Sequence, residues 1–409
     1  MDDAKPFAWP DDDISRVPYQ VYTDAALYAL EQERIFRGAA WNYVGLEAEV
    51  PNEGDFKTTY IGDAPIVVTR GADGVVNVMV NRCAHKGSLV CFKQRGNAPE
   101  LTCVYHNWTY GLAGELTGVA FRRGVGGKGG LRASFDQKAH GLRRLRVETY
   151  RGLIFATFSD ATPAFKDYAG PDMIAAMDRV LVKPLRVLGY HSQILPNNWK
   201  LYVENNKDSY HASLLHVFHN TFGVVRPTMG GGIKLGHDGW HHLSYTQREA
   251  LADDHIGKEK VRSLQESYKL RDAAMMEHKL ELGDLVTNSI QTIFPTLVVQ
   301  QILNALATRQ LIPKGPDRSE LIWTILGFEG DDPDLHELRL KVNNLVGPAG
   351  LISMEDGCVG GWVQRAAKGD PAARSIMPMG EGVEPSEGSR ITEAAVRGFW
   401  RGWRACMGI

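Results

Sequence analysis

Between residues 41 and 160 short apolar runs alternate with turn residues at close intervals: Ala64 to Thr69, Val75 to Val80, Leu101 to Tyr105 and Gly152 to Phe158. Runs this short, rich in Val, Ile, Thr and aromatic side chains and bounded by turn residues, predict antiparallel strands. Beyond residue 160 the periodicity lengthens. Ser289 to Leu311 and Glu320 to Phe328 read as longer strands, whereas Asp334 to Leu345 and Thr392 to Met407 read as helices. The pattern predicts an α+β chain in three parts. A segment over 1–40 packs on the larger domain, a small antiparallel β domain occupies 41–160, and an α+β domain occupies 161–409. No internal repeat is present.

With 409 residues, 44% of them hydrophobic, the chain can bury a large core. A net charge of −2 leaves no polybasic footprint for nucleic acid or an anionic membrane. No apolar run is long enough to span a bilayer. The start, Met1-Asp2-Asp3-Ala4-Lys5-Pro6, is polar and acidic, unlike a secretory leader, so a cytoplasmic location is expected. Gly124 to Gly130 precedes no apolar helix, so it is read as a flexible loop rather than a dinucleotide fingerprint.

Two short motifs carry chemistry. Cys83-Ala84-His85 is followed after seventeen residues by Cys103-Val104-Tyr105-His106. Each pair offers one thiolate and one imidazole from a single loop. A [2Fe–2S] cluster could take Cys83 and Cys103 on one iron and His85 and His106 on the other, the Rieske arrangement, in which neutral imidazoles raise the reduction potential. Tetrahedral zinc is the alternative, but zinc ribbons and fingers usually pair like with like. Cys91, Cys358 and Cys406 are expected to be buried structural thiols.

The second motif, Asp208-Ser209-Tyr210-His211 with His216 five residues on, places two imidazoles near a carboxylate. Two His and one carboxylate form the facial triad of non-haem Fe(II) oxygenases. On a regular helix His211 and His216 would point about 140° apart, so convergence on one ion requires the helix to break between them. Gly347-Pro348-Ala349-Gly350 leads to Glu355 and Asp356, which point different ways on any regular backbone; at most one ligates, and solvation is the plain alternative for either.

Taken together these motifs resemble those of the large (α) subunits of Rieske non-haem iron aromatic-ring-hydroxylating oxygenases. The resemblance implies a Rieske domain joined to a helix-grip catalytic domain, with His211, His216 and Asp356 holding mononuclear Fe(II). It implies that Asp208 bridges the two metal centres across a subunit boundary. It places Asn205 near the iron, one residue closer to Asp208 than in naphthalene-type enzymes. It implies a homotrimer of α subunits, α3 or α3β3 with a small β subunit, fed with NADH-derived electrons by a separate reductase or ferredoxin. Stretches such as Leu195 to Leu201, Val299 to Ile302, Arg309 to Lys314 and Arg397 to Trp400 are most similar to the family's aromatic-carboxylate group. That similarity implies cis-dihydroxylation by O₂ of an aromatic acid, terephthalate first, with anthranilate, ortho-halobenzoate or salicylate as alternatives. Arg309, Arg390 and Ile352 would contact it. His219 is expected to be solvated, with contact to an ortho substituent as the alternative.

Overall fold

A computed structural model describes residues 7, 9, 13–227, 229–250, 261–265 and 267–409. The chain divides into two compact units, Ala39–Thr162 and Met1–Gly38 with Pro163–Ile409.

The N-terminal segment contributes β1 (Arg16–Pro18) and α1 (Ala25–Glu31) to the larger unit. Asp24 caps α1 by accepting from the Ala26 and Leu27 N–H groups. At the helix end the buried Glu31 carboxylate accepts from the indole N–H groups of Trp199 and Trp403 and from Lys200 Nζ at 2.6 Å. A buried carboxylate that accepts three hydrogen bonds fixes this segment against the helices that carry those residues.

The smaller unit is all β. Its strands are β2 (Asn42–Leu46), β3 (Asp55–Ile61), β4 (Ala64–Arg70), β5 (Val76–Val80), β6 (Arg95–Asn97), β7 (Leu101–Thr102), β8 (Thr109–Tyr110), β9 (Leu116–Gly118), β10 (Arg146–Tyr150) and β11 (Leu153–Thr157). They form antiparallel sheets in the orders β5-β4-β3-β6, β10-β11-β2 and β7-β8-β9. The run expected over Leu101 to Tyr105 is a strand only as far as Thr102, because the chain then turns into a loop. Phe56, Val67, Met79, Trp108, Tyr110 and Leu142 pack in one core with Cys83, Cys91 and Cys103. Val125 pairs with Lys128 in a tight glycine turn.

The larger unit is built on eight antiparallel strands in the order β12-β18-β17-β16-β15-β14-β13-β20. In chain order these follow α2 (Phe165–Ala169) and α3 (Pro171–Val180). They are β12 (Leu185–Leu195), β13 (Met229–Gly236), β14 (His241–Ala250), β15 (Val286–Ile293), β16 (Leu297–Ile302), β17 (Ala305–Pro313), β18 (Ser319–Phe328) and β20 (Ser386–Glu387). The single strand expected over Ser289 to Leu311 is a meander of three, since Pro295 interrupts the ladder and Leu303 turns the chain at φ 52°. Strand β19 (Arg374–Ile376) pairs with β1.

The remaining helices are α4 (Trp199–Lys207), α5 (Ala212–Leu215), α6 (Val217–Phe222), α7 (Pro333–Val346), α8 (Leu351–Gly369) and α9 (Ala394–Met407). Helix α9 buries Phe399, Trp400, Trp403 and Met407 on one face. Each of these contributes roughly 1.5–3 kcal/mol on burial. Among the described residues no helix is long and apolar enough to cross a membrane. Of the three cysteines outside the motif, only Cys91 is fully buried; Cys406 is partly exposed and Cys358 is exposed, because α8 turns that face outward.

Candidate active site and metal centres

In the smaller unit the two Cys/His loops share one local design. Cys83 N–H donates to the Ser88 carbonyl and receives a bond at its own carbonyl from Gly87. Cys103 N–H likewise donates to the Trp108 carbonyl and its carbonyl accepts from Asn107. Each turn closes through a left-handed residue, Gly87 at φ 75° and Asn107 at φ 50°, positions suited to Gly and Asn. The outcome is asymmetric: both cysteines are buried and both histidines exposed. The rings of His85 and His106 lie 4.5 Å apart, and His85 stacks on Trp108 at 4.8 Å. Tyr110 lies on β8, just after the second loop. Its hydroxyl lies 3.2 Å from Cys83 Sγ and accepts from Ala84 N–H. A hydroxyl donated to a ligating sulfur withdraws electron density, a means of raising a cluster's potential.

A zinc ion would draw its four ligand atoms to roughly 3.5–4 Å of one another. Among the described residues only His211, His216 and Asp356 bring three such atoms within 4.8 Å. One cysteine and one histidine from each loop suit a cluster with two irons, thiolates on one and imidazoles on the other.

The second centre lies in the larger unit, where α4 ends at Asp208. His211 follows at the start of α5, and His216 breaks the helical path with φ −81° and ψ 103° before α6 begins. That break supplies the deformation the spacing demanded. His211 Nε2 and His216 Nε2 approach Asp356 Oδ1 at 3.5 and 3.3 Å. Asp356 lies inside α8, the helix that follows α7, with Glu355 beside it. Glu355 is not simply solvated: its Oε2 lies 2.8 Å from His216 Nδ1, so the two acids address opposite nitrogens of one ring. Asn205 Nδ2 donates to Asp356 Oδ1 at 3.2 Å.

The residues fit a metal on electrostatic grounds. Burial opposes charge on His211, yet Asp208 and Asp356 push it up to about 10. Burial likewise favours a neutral Asp356, yet His211 and His216 hold its carboxyl far below the usual range. The trio demands positive charge at its centre, which a divalent cation provides.

Around this point lies a pocket of about 590 Å³, open in part to solvent, whose lining includes Asn205, Asp208, Arg309, Ile352 and Arg390 as well as the trio. One sheet face forms its floor: Ser244 and Thr246 on β14 pair with Ile290 and Asn288 on β15, which pair with Gln300 and Ile302 on β16. Arg309 on β17 lies opposite Trp323 on β18, its guanidinium 4.7 Å from the indole ring. Arg309 is 4% exposed and donates to the Tyr202 hydroxyl at 2.8 Å, while its Nε has no partner. Arg390 donates to the Arg226 carbonyl, and burial lowers it to about 10. Among the described residues neither arginine has a carboxylate within ion-pair distance. His219 is not solvated; it is buried on the cavity wall beside His216, because the break at His216 turns α6 inward. The sheet-borne lining escaped sequence reading because no motif marks it; strand register assembles it.

Residues 40–126 match the family described as "Rieske [2Fe-2S] domain", and residues 182–409 match "Ring hydroxylating alpha subunit (catalytic domain)". The chain is 48% identical to the terephthalate 1,2-dioxygenase terminal oxygenase component subunit alpha 2 of Comamonas sp., covering 96% of each chain. It is also 48% identical to the anthranilate 1,2-dioxygenase large subunit of Burkholderia cepacia, covering 100% of this chain and 97% of that one. The large oxygenase component of salicylate 5-hydroxylase from Ralstonia sp. is 38% identical, with 98% and 96% covered. Naphthalene 1,2-dioxygenase from Rhodococcus sp. shares the fold at a TM-score of 0.80 with 24% identity, over 96% of this chain and 94% of that one. The two units are thus a Rieske [2Fe–2S] domain and a catalytic domain for non-haem iron, and the chain belongs to the family of ring-hydroxylating oxygenase alpha subunits.

Proposed function

We propose that this alpha subunit cis-dihydroxylates an aromatic carboxylic acid, using O₂ and electrons that originate in NADH. The observation that carries the substrate class is the pair of buried arginines without carboxylate partners, lining the same cavity as the trio. A buried guanidinium is balanced best by a planar oxyanion, to which its fork donates two parallel bonds. A para-diacid such as terephthalate would use both arginines at once. Anthranilate is the second reading, favoured by a relative of equal identity and by the buried His219.

In this reading Cys83, His85, Cys103 and His106 hold the cluster, and His211, His216 and Asp356 hold the iron. When bound, the iron supplies O₂ activation with electrons passed on from a Rieske centre. The chain's own residues set the conditions. Arg309 and Arg390 anchor the acid, while Ile290, Ile302, Val346 and Ile352 enclose the ring and exclude water. Glu355 accepts the Nδ1 proton of His216, which leaves Nε2 free to ligate.

Asp208 is proposed to link the two centres across a subunit boundary in an α3 or α3β3 assembly. Its Oδ1 is buried without a partner, and its Oδ2 lies 3.7 Å from His211 Nδ1. Beside the exposed His106 stands Tyr105, 63% exposed with its ring 4.0 Å from the imidazole, a surface suited to a neighbouring subunit or to a ferredoxin or reductase.

The test is O₂ uptake and product formation with terephthalate, anthranilate, salicylate, 2-chlorobenzoate and naphthalene, using wild type, Arg309→Lys and Arg390→Lys. Acids are oxidised and naphthalene is not. Each substitution weakens binding of the acid it contacts, by up to about 2–5 kcal/mol where a buried carboxylate loses its partner. Preference for naphthalene, or unchanged kinetics in both variants, refutes the reading.

A further inference from the structure

His219 is 3% exposed, and neither Nδ1 nor Nε2 has a hydrogen-bond partner. A neutral imidazole carries one donor and one acceptor. Leaving a buried polar atom unmet costs roughly 1–3 kcal/mol, and here the Ala212 backbone acts on the ring without completing a hydrogen bond to either nitrogen. The ring lines the cavity that holds Arg309 and Arg390, with its centroid 4.9 Å from that of His216. It is not a fourth ligand, since the close set of ligand atoms comprises His211, His216 and Asp356 without it.

We propose that His219 selects the substrate by hydrogen-bonding an amino or hydroxyl group ortho to the carboxylate on the aromatic ring. This rests on the aromatic-carboxylate reading above and narrows it. The geometry favours a group on the ring edge facing the iron, because His219 packs against an iron-binding histidine. The chemistry favours nitrogen or oxygen bearing hydrogen. A ring amino or hydroxyl group can donate to one imidazole nitrogen, whereas a halogen cannot donate and a carboxylate only accepts and is served better by arginine. A neutral imidazole keeps one acceptor nitrogen for such a donor.

The experiment compares wild type, His219→Leu and His219→Gln as complete oxygenase. Anaerobic calorimetry gives Kd, and O₂ uptake gives KM, for benzoate, anthranilate, salicylate, 2-chlorobenzoate and terephthalate. Wild type binds anthranilate or salicylate about tenfold more tightly than benzoate and 2-chlorobenzoate. His219→Leu loses that advantage alone, His219→Gln restores part of it, and iron content and cluster spectrum stay at wild-type levels. A wild type without preference for the ortho donors overturns the inference while leaving the carboxylate reading intact. So does a leucine variant that weakens all five acids equally or loses iron. If wild type binds none of the five, the carboxylate reading fails and this inference falls with it.

Discussion

Replacing Glu355 separates two carboxylates that adjoin in sequence but meet different atoms. Its Oε2 lies 2.8 Å from His216 Nδ1, so an N–H on that nitrogen donates to it and Nε2, which faces the metal position, is left to ligate a cation. In Glu355→Ala that preference is lost and the proton can settle on Nε2, where it must be displaced before a cation binds. Loss of such an outer carboxylate costs about 10–100-fold in metal affinity, or about 1.4–2.7 kcal/mol. The Glu355 side chain is 20% exposed, so water can partly replace it and the lower end, near tenfold, is expected. Glu355→Gln keeps an acceptor without the charge and falls between Ala and wild type. Asp356→Ala removes a ligand in a buried site and abolishes binding. The assay is anaerobic Fe(II) titration against a competing chelator, with the cluster spectrum as internal control. Wild-type affinity in Glu355→Ala refutes the reasoning, as does iron lost from Glu355→Ala but retained by Asp356→Ala.

Cys103→Ser removes the visible and EPR signature of the cluster and its acid-labile sulfide; a variant that keeps all three would show that Cys103 holds no iron. Asp208→Asn retains both metals and the wild-type oligomeric state but fails to reoxidise its cluster in a single turnover with substrate and O₂; wild-type reoxidation would reduce Asp208 to a structural role. Glu204 gives a pH prediction. Burial raises its carboxyl from 4.5 to about 7, although the Tyr22 hydroxyl, the Trp400 indole and Lys200 all favour the charged form. A raised carboxyl stabilises the fold most below its unfolded value, and that contribution is lost as pH rises from about 4.5 through 7. Glu204→Gln therefore removes this loss, so the melting temperature of wild type relative to the variant falls across that window; a constant difference would contradict the assignment.

Metal chemistry was legible in the chain because ligand identity and loop spacing are local properties. Cys83 and His85 are two residues apart on one turn, and a turn closed by Gly87 needs nothing distant to form. His211 and His216 were legible as a pair, and their separation of five residues already required the break that the backbone makes at His216. Amphipathic α9 and most strands followed from periodicity for the same reason. The run from Ser289 to Leu311 reads as one strand, since its apolar residues alone do not reveal the turn at Leu303, which depends on a left-handed backbone angle.

Everything that required two distant segments to meet was decided by tertiary structure. Glu355 and Asp356 carry the same functional group in adjacent positions, and only the packing of α8 against the broken α5–α6 segment sends one to Nδ1 and the other to Nε2 of the same histidine. His219 reads as a polar residue fit for solvent, yet the break at His216 turns it into the cavity with both nitrogens unmet. Arg309 and Trp323 lie fourteen residues apart and become neighbours only through the register of β17 and β18. Sequence determines which atoms are available to bind metal and over what short reach. The fold decides which of them lose their water and which partners replace it, and burial and charge then set their chemistry.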